Sequence, residues 1–211
     1  MVPRVPKVLF GSVLLLVLAH GTAVRTQPAP ERFVVRLETT KGPIAIECVR
    51  AWAPNGADRF FELVMSGYYN DAAIFRIRPK TWAQFGIAAD PKLAQAWRTR
   101  TIADDPFQAA QPNVRGTVAF AWAVPNGRTT QVFINLRDNR ETHDKEPFVP
   151  FGRVIEGMDV ADAWFDVYGE AAGGGIRAGK QDPVFQGGND YLRKNYPKLD
   201  YIKSARVVQS P

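Results

Sequence analysis

The sequence predicts a mainly β domain, a closed antiparallel β-barrel capped by two α-helices. Three observations lead there. About seven short runs rich in Val, Ile, Phe and Thr alternate apolar and polar residues, the signature of half-buried strands. Only two well-separated stretches repeat apolar residues at helical spacing, so the elements do not alternate as βαβ units. Closing such a sheet on itself removes the exposed edges that invite aggregation.

The elements follow in order. "FVVRLETTKGPIAIECV" reads as a hairpin, two β-rich runs around a Thr-Lys-Gly-Pro turn. Pro54 then opens a helix with Ala57, Phe60, Phe61 and Val64 on one face, ending near Gly67. "AAIFRIR" and "TWAQFGI" are the next two strands, joined around Pro79-Lys80. Residues 88–115 form a long connection with mixed turn signals and room for one short helix. "GTVAFAWA" and "TQVFINL" are strands on either side of Val124–Arg128, and "FVPFGRVI" is another. "GMDVADAWFDVYG" is the second helix, with Met158, Val160, Ala161, Trp164, Phe165 and Tyr168 apolar. A Gly-rich segment follows, and "DYIKSARVV" closes the chain as a last strand.

A chain of 211 residues, 45% hydrophobic and 23% charged, has material for one domain with a full core. Its first residues stand apart. Arg4 and Lys7 precede an apolar run from Val8 to Ala19, then the small residues Gly21-Thr22-Ala23, the pattern of a cleaved export signal. The run is shorter than the roughly 20 residues a spanning helix needs. The expected partition is signal 1–23, linker 24–32 and folded domain 33–208, in a protein that is periplasmic or secreted and not inserted in the membrane after cleavage. Without Arg4 and Lys7 the formal charge falls from +6 to +4. With no Lys/Arg run and no basic-aromatic stripe, nucleic acid is not an expected partner. Cys48 is the only cysteine, so no intramolecular disulfide forms, and its place beside Ile44 and Ile46 marks a buried small hydrophobe.

Familiar chemical motifs are missing their parts. Gly174, Gly179 and Lys180 approach a phosphate-binding loop, but Gln181 replaces its Ser/Thr, Pro183 follows, and no apolar strand precedes it. Beyond His20 in the signal, His143 is the only histidine, so neither a metal site nor a histidine-based hydrolase is expected. No cofactor is expected either.

What remains is a constellation sorted by period two. Arg76 shares a strand face with Ile74 and Arg78, opposite Phe75 and Ile77. On the next strand Trp82, Gln84 and Gly86 lie opposite Ala83 and Phe85. On "TQVFINL", Val132, Ile134 and Leu136 point inward, leaving Gln131, Phe133 and Asn135 together. Arg76, Trp82, Gln84, Gln131 and Phe133 thus form one outer surface. A cation, two amides and two aromatic rings suit an extended peptide better than a small charged ligand. An isolated arginine would read as a surface ion pair. Its register with Gln84, Gln131 and Phe133 favours a functional role.

The pattern F-R-x-x-P-x-x-x-x-Q-F-G, with G-x-x-x-F-A and T-Q-x-F-I-N further on, resembles the cyclophilin-type peptidyl-prolyl isomerases, in particular the bacterial single-domain branch. The match runs from about Phe33 to Val208 and includes "APNGADRFFELV" and "FGRVIEGMDVAD". The resemblance implies a catalytic Arg76 with Gln84 beside it. It implies substrate contacts from Phe75, Trp82, Ala121, Trp122, Gln131 and Phe133, with His143 and Phe148 closing the pocket. Thr81 stands where many members have a phenylalanine. The implied function is cis–trans isomerisation of X-Pro bonds in unfolded or newly exported polypeptides, by a monomer. The alternative is a proline-peptide-binding or chaperone module of the same fold with weak or no isomerase activity.

Overall fold

Alternation in the first strand decides which way the sheet faces. In β1 (Arg32–Thr39), Phe33, Val35 and Leu37 are buried while the residues between them are not. It pairs antiparallel with β2 (Gly42–Val49), in register from Arg32↔Val49 to Thr39↔Gly42. The two-residue turn needs Gly42, whose φ of 133° is open only to glycine at little cost. Ile44, Ile46 and Cys48 point into the core together, and burial raises the Cys48 thiol pKa well above its ordinary value.

The computed structural model describes residues 28–175 and 180–209. The export signal expected over 1–23 and part of the Gly174–Gln181 stretch lie outside them. Ala29, in the expected linker, is buried, and its N–H donates to Asp58 Oδ1 at 2.9 Å. The remaining strands are β3 (Ala72–Ala73), β4 (Arg76–Arg78), β5 (Trp82–Phe85), β6 (Thr117–Phe120), β7 (Val132–Asn135), β8 (Pro150–Glu156) and β9 (Tyr201–Gln209). The helices are α1 (Pro54–Met65), α2 (Pro91–Arg98), α3 (Arg140–His143), α4 (Met158–Asp162) and α5 (Asp182–Asn195). Among the described residues no helix is long and apolar enough to cross a membrane.

The protein is mainly β, but its sheet is a curled, open half-barrel rather than the closed barrel expected. The order is β3-β9-β1-β2-β8-β6-β7-β5-β4. Its two edge strands are separated in the chain only by Ile74 and Phe75, so the sheet curls back on itself, yet no ladder joins them. The cause lies in "AAIFRIR", which breaks instead of running as one strand. Ile74 N–H donates to Asp200 O at 2.8 Å and Ile77 N–H to Gly169 O at 2.9 Å, so the C-terminal third of the chain takes the edge donors. The break also carries Ile74 into the core, against the alternation expected of it.

Helices depart from expectation too. α1 forms as expected, with Pro54 in its first turn and Ala57, Phe60, Leu63 and Val64 buried. The second expected helix stops early, at Asp162, because Phe165 N–H donates to Asp200 Oδ2 at 2.7 Å instead of continuing the ladder. α5 lies between the second expected helix and the last strand, where no helix is expected. Pro183 starts it, Val184, Phe185 and Leu192 are buried, and Gly188, with φ 51° and ψ −142°, kinks it midway, which breaks the helical period in the sequence. It packs on α2, where Arg98 lies 4.3 Å from the Phe185 ring centroid. The long connection is pinned by Asp105, which accepts from Asn55 N and Gly56 N, both at 2.9 Å, and so holds the first turn of α1.

Candidate active site

Strand register builds the site. β4 and β5 pair Arg76 with Gln84, β5 and β7 pair Gln84 with Phe133, and β7 and β6 pair Phe133 with Ala119. The next row, Ile77, Ala83, Ile134 and Val118, is buried in the core. Alternation thus puts one row outside as a working surface while its neighbour fills the half-barrel.

Arg76, Trp82, Gln84, Ala121, Trp122, Phe133, His143 and Phe148 all line one open cleft of about 330 Å³. The Arg76 guanidinium and Phe133 therefore open onto the same surface. Phe75 does not join them: it is buried in the core on the opposite side of the strand. Gln131 is not in the cleft lining; it meets the cleft only through its hydrogen bond with Gln84.

Arg76 is only 8% exposed. Its Nη1 donates to Gln84 Oε1 at 2.9 Å and its Nη2 to Glu170 Oε2 at 2.5 Å. The guanidinium lies 4.7 Å from the Trp82 ring centroid, a cation–π contact. Nε is buried without an acceptor among the described residues. Burial lowers the pKa of Arg76 and Glu170 opposes that; an arginine stays charged throughout. The chain of amides continues: Gln84 Nε2 donates to Gln131 Oε1 at 2.7 Å, and Gln131 Nε2 to Gln181 Oε1 at 2.9 Å.

Across the cleft stand three rings. Phe133 is 5.3 Å from His143 and 5.3 Å from Phe148, both nearly edge to face, and His143 is 5.1 Å from Phe148. His143 Nδ1 is 3.1 Å from Asn135 Oδ1, an atom that can only accept, so the neutral ring carries its proton on Nδ1. Burial lowers the His143 pKa to about 4. Asn135, expected on the outer face, is instead wholly buried beneath this wall, bonded also to Asn113, Thr117 and Asn139. Thr81 is not in the cleft lining; its carbonyl accepts from Leu136 N and Asn139 Nδ2, both at 2.9 Å. Trp82, next to it, supplies the aromatic surface. The Trp122 indole N–H is buried without a partner among the described residues.

Glu170, Glu146, Thr142 and Arg78 line the same cleft, and Gln181 ends the amide chain. Arg78 lies on the face that alternation gave it, but sequence reading missed Glu170, Glu146 and Gln181 as site residues. Glu170 lies 94 residues from Arg76 in a segment without periodicity, so nothing local signals the contact. Among the described residues no group of three or more His, Cys, Asp or Glu could hold a metal ion.

An arginine on an outer strand row, braced by amides and facing a wall of rings on a curled antiparallel sheet, defines the class: a half-barrel with a cleft fit for an apolar peptide segment. The comparisons specify it further. Residues 34–176 match the family model "Cyclophilin type peptidyl-prolyl cis-trans isomerase/CLD". A peptidyl-prolyl cis-trans isomerase of Acinetobacter baylyi is 31% identical over 166 residues, 77% of this chain and 81% of that protein. The crystal structure of a cyclophilin-type isomerase of Cryptosporidium parvum matches with TM-score 0.60 at 18% identity, over 85% of this chain and 99% of that one. That protein has also been crystallised in the presence of the dipeptide ala-pro. The chain belongs to the cyclophilin-type peptidyl-prolyl cis-trans isomerases, an isomerase family.

Proposed function

We propose that this protein is exported and, as a monomer, accelerates rotation about X-Pro bonds in unfolded or newly translocated polypeptides, with Arg76 stabilising the twisted amide. The peptide bond is planar through resonance, with a rotation barrier of roughly 18–20 kcal/mol. X-Pro bonds interconvert uncatalysed in about 10–100 s. Catalysis needs neither nucleophile nor cofactor, only tighter binding of the twisted amide than of either planar form. On twisting, the prolyl nitrogen regains its lone pair and becomes an acceptor. A fixed guanidinium that stays charged can donate to it.

The observation that carries this reading is the Arg76–Gln84 hydrogen bond of 2.9 Å in a cleft that Phe133 and Trp82 also line. The rings would grip the prolyl side while the acyl side turns. Export rests on the basic start and apolar run, Arg4, Lys7 and Val8–Ala19.

The test is NMR exchange on a short X-Pro peptide. Substoichiometric protein is expected to speed cis–trans exchange. Arg76→Ala is expected to lower kcat/KM by roughly 10²–10³, the usual loss when one electrostatic donor is removed. A wild-type rate in Arg76→Ala sinks the assignment. Saturable peptide binding with no exchange by the wild type identifies a binding module instead.

A further inference from the structure

The segment after α4 is built against the arginine at three points. Gly169 O accepts the N–H of Ile77, the residue after Arg76, at 2.9 Å. Gly173 lies so close that a Cβ there would sit 2.8 Å from Arg76 Cβ and 2.8 Å from Cδ. Between them Glu170 reaches the guanidinium at Nη2. The carboxylate is therefore mounted on the sheet edge rather than on a free loop. Farther along, Gln181 and Gln131 exchange hydrogen bonds at 2.9 and 3.2 Å, tying the same stretch to the other end of the amide chain.

We infer that Glu170 is a positioning residue for Arg76, the second of two clamps that fix the guanidinium beside Trp82 with its free terminal N–H bonds left for the substrate. This rests on the reading of Arg76 given above. One anchor would let the planar group swing about its stem. Gln84 and Glu170 hold different terminal nitrogens, and the Trp82 ring centroid lies 4.7 Å from the guanidinium. The two bonds use two of the five donors an arginine carries. Of the other three, Nε–H is buried with no acceptor among the described residues. A guanidinium removed from water also needs a counter-charge, or its desolvation works against it. Glu170, itself largely buried, is that charge.

A carboxylate this close could instead compete with substrate for the arginine, and the two roles predict opposite signs. Kinetics by NMR exchange at varied peptide concentration, with thermal unfolding in parallel, are to be run on Arg76→Ala, Glu170→Ala and Glu170→Gln. Positioning predicts that Glu170→Ala lowers kcat roughly tenfold, about 1.4 kcal/mol, with KM little changed. Glu170→Gln, which keeps an acceptor, recovers most of that loss. Selective ¹⁵N-arginine spectra report the clamp directly: Arg76 Nη protons are expected to be resolved in the wild type and averaged by rotation in Glu170→Ala. A wild-type or raised rate in Glu170→Ala, with Arg76→Ala impaired, overturns the positioning role alone. A wild-type rate in Arg76→Ala overturns the reading of Arg76 itself.

Discussion

Two arginines are buried among the described residues, Arg76 in the cleft and Arg128 in the corner behind α1. They are held in opposite ways. Arg128 is 1% exposed, and all three of its nitrogens have acceptors: Nε to Asp104 Oδ1 and Nη1 to Asp105 Oδ2, both at 3.1 Å, and Nη2 to the Ala103 carbonyl. Arg76 has one carboxylate, one amide and a ring beside it, and its Nε has no acceptor among the described residues. A fully satisfied buried cation holds a structure together. A partly satisfied one keeps donor capacity in reserve at a cost of about 1–3 kcal/mol, which a folded protein tolerates where a ligand will supply the acceptor.

The largest effect expected from this contrast is on stability, at Arg128. Arg128→Ala leaves Asp105 buried while it still holds the first turn of α1, and should cost about 3–5 kcal/mol, read by urea unfolding. Isomerase activity per folded molecule should be unchanged. Arg76→Ala should do the reverse: activity falls by the 10²–10³ given above, and the unfolding midpoint moves less, because Glu170, at 20% exposure on the open cleft, can reach water where Asp105 at 1% cannot. Equal stability losses in the two variants would erase the distinction between them.

The next effect in size lies at Gly173. Gly173→Ala inserts a methyl group against the Arg76 stem, where Cβ of the arginine, not a flexible tip, must give way. Overpacking of this kind costs about 1–3 kcal/mol. The same displacement should lower kcat/KM roughly tenfold, since the guanidinium leaves its seat between Gln84 and Glu170. Destabilisation with an unchanged rate would show that the seat tolerates movement, and would weaken the two-clamp picture.

What the sequence made legible follows from these contacts. The row Arg76, Gln84 and Phe133 could be read because period two and strand register are local properties. So could the burial of Ile77, Ala83 and Ile134 behind it. Phe75 was misassigned because a family position names a neighbour of the arginine without saying on which side of the strand it lies. Glu170 and Gln181 were invisible: they reach the site from segments 94 and 50 residues away in the chain, with no pattern to mark them. The open edge was hidden for a related reason. Whether β3 and β4 join depends on Gly169 and Asp200, whose carbonyls take the backbone donors of Ile77 and Ile74. The Arg128 corner was unreadable too, because Asp104 and Asp105 sit in a connection with only turn signals.

The last expected effect is at the ring wall, and its titrating part appears only in acid. His143 is pulled down to about 4 first by burial; Arg137 and Arg78 push the same way and Asp144 opposes them. The unfolded chain binds this proton near the ordinary 6.5 and the folded one only near 4, so the unfolded state holds more protons between those values. Stability is therefore complete above about 6.5, declines as pH falls through that window and levels off below about 4 as far as this group is concerned. His143→Phe keeps a ring beside Phe133 and Phe148 but removes the titration and the bond to Asn135. It should lose stability at pH 7, yet show a smaller further loss between pH 6.5 and 4.5 than the wild type. An NMR titration of the His143 ring checks the premise directly. A midpoint near 6.5 would mean that the imidazole meets water freely, and the wall of the cleft would then be far looser than the wall that grips a proline ring.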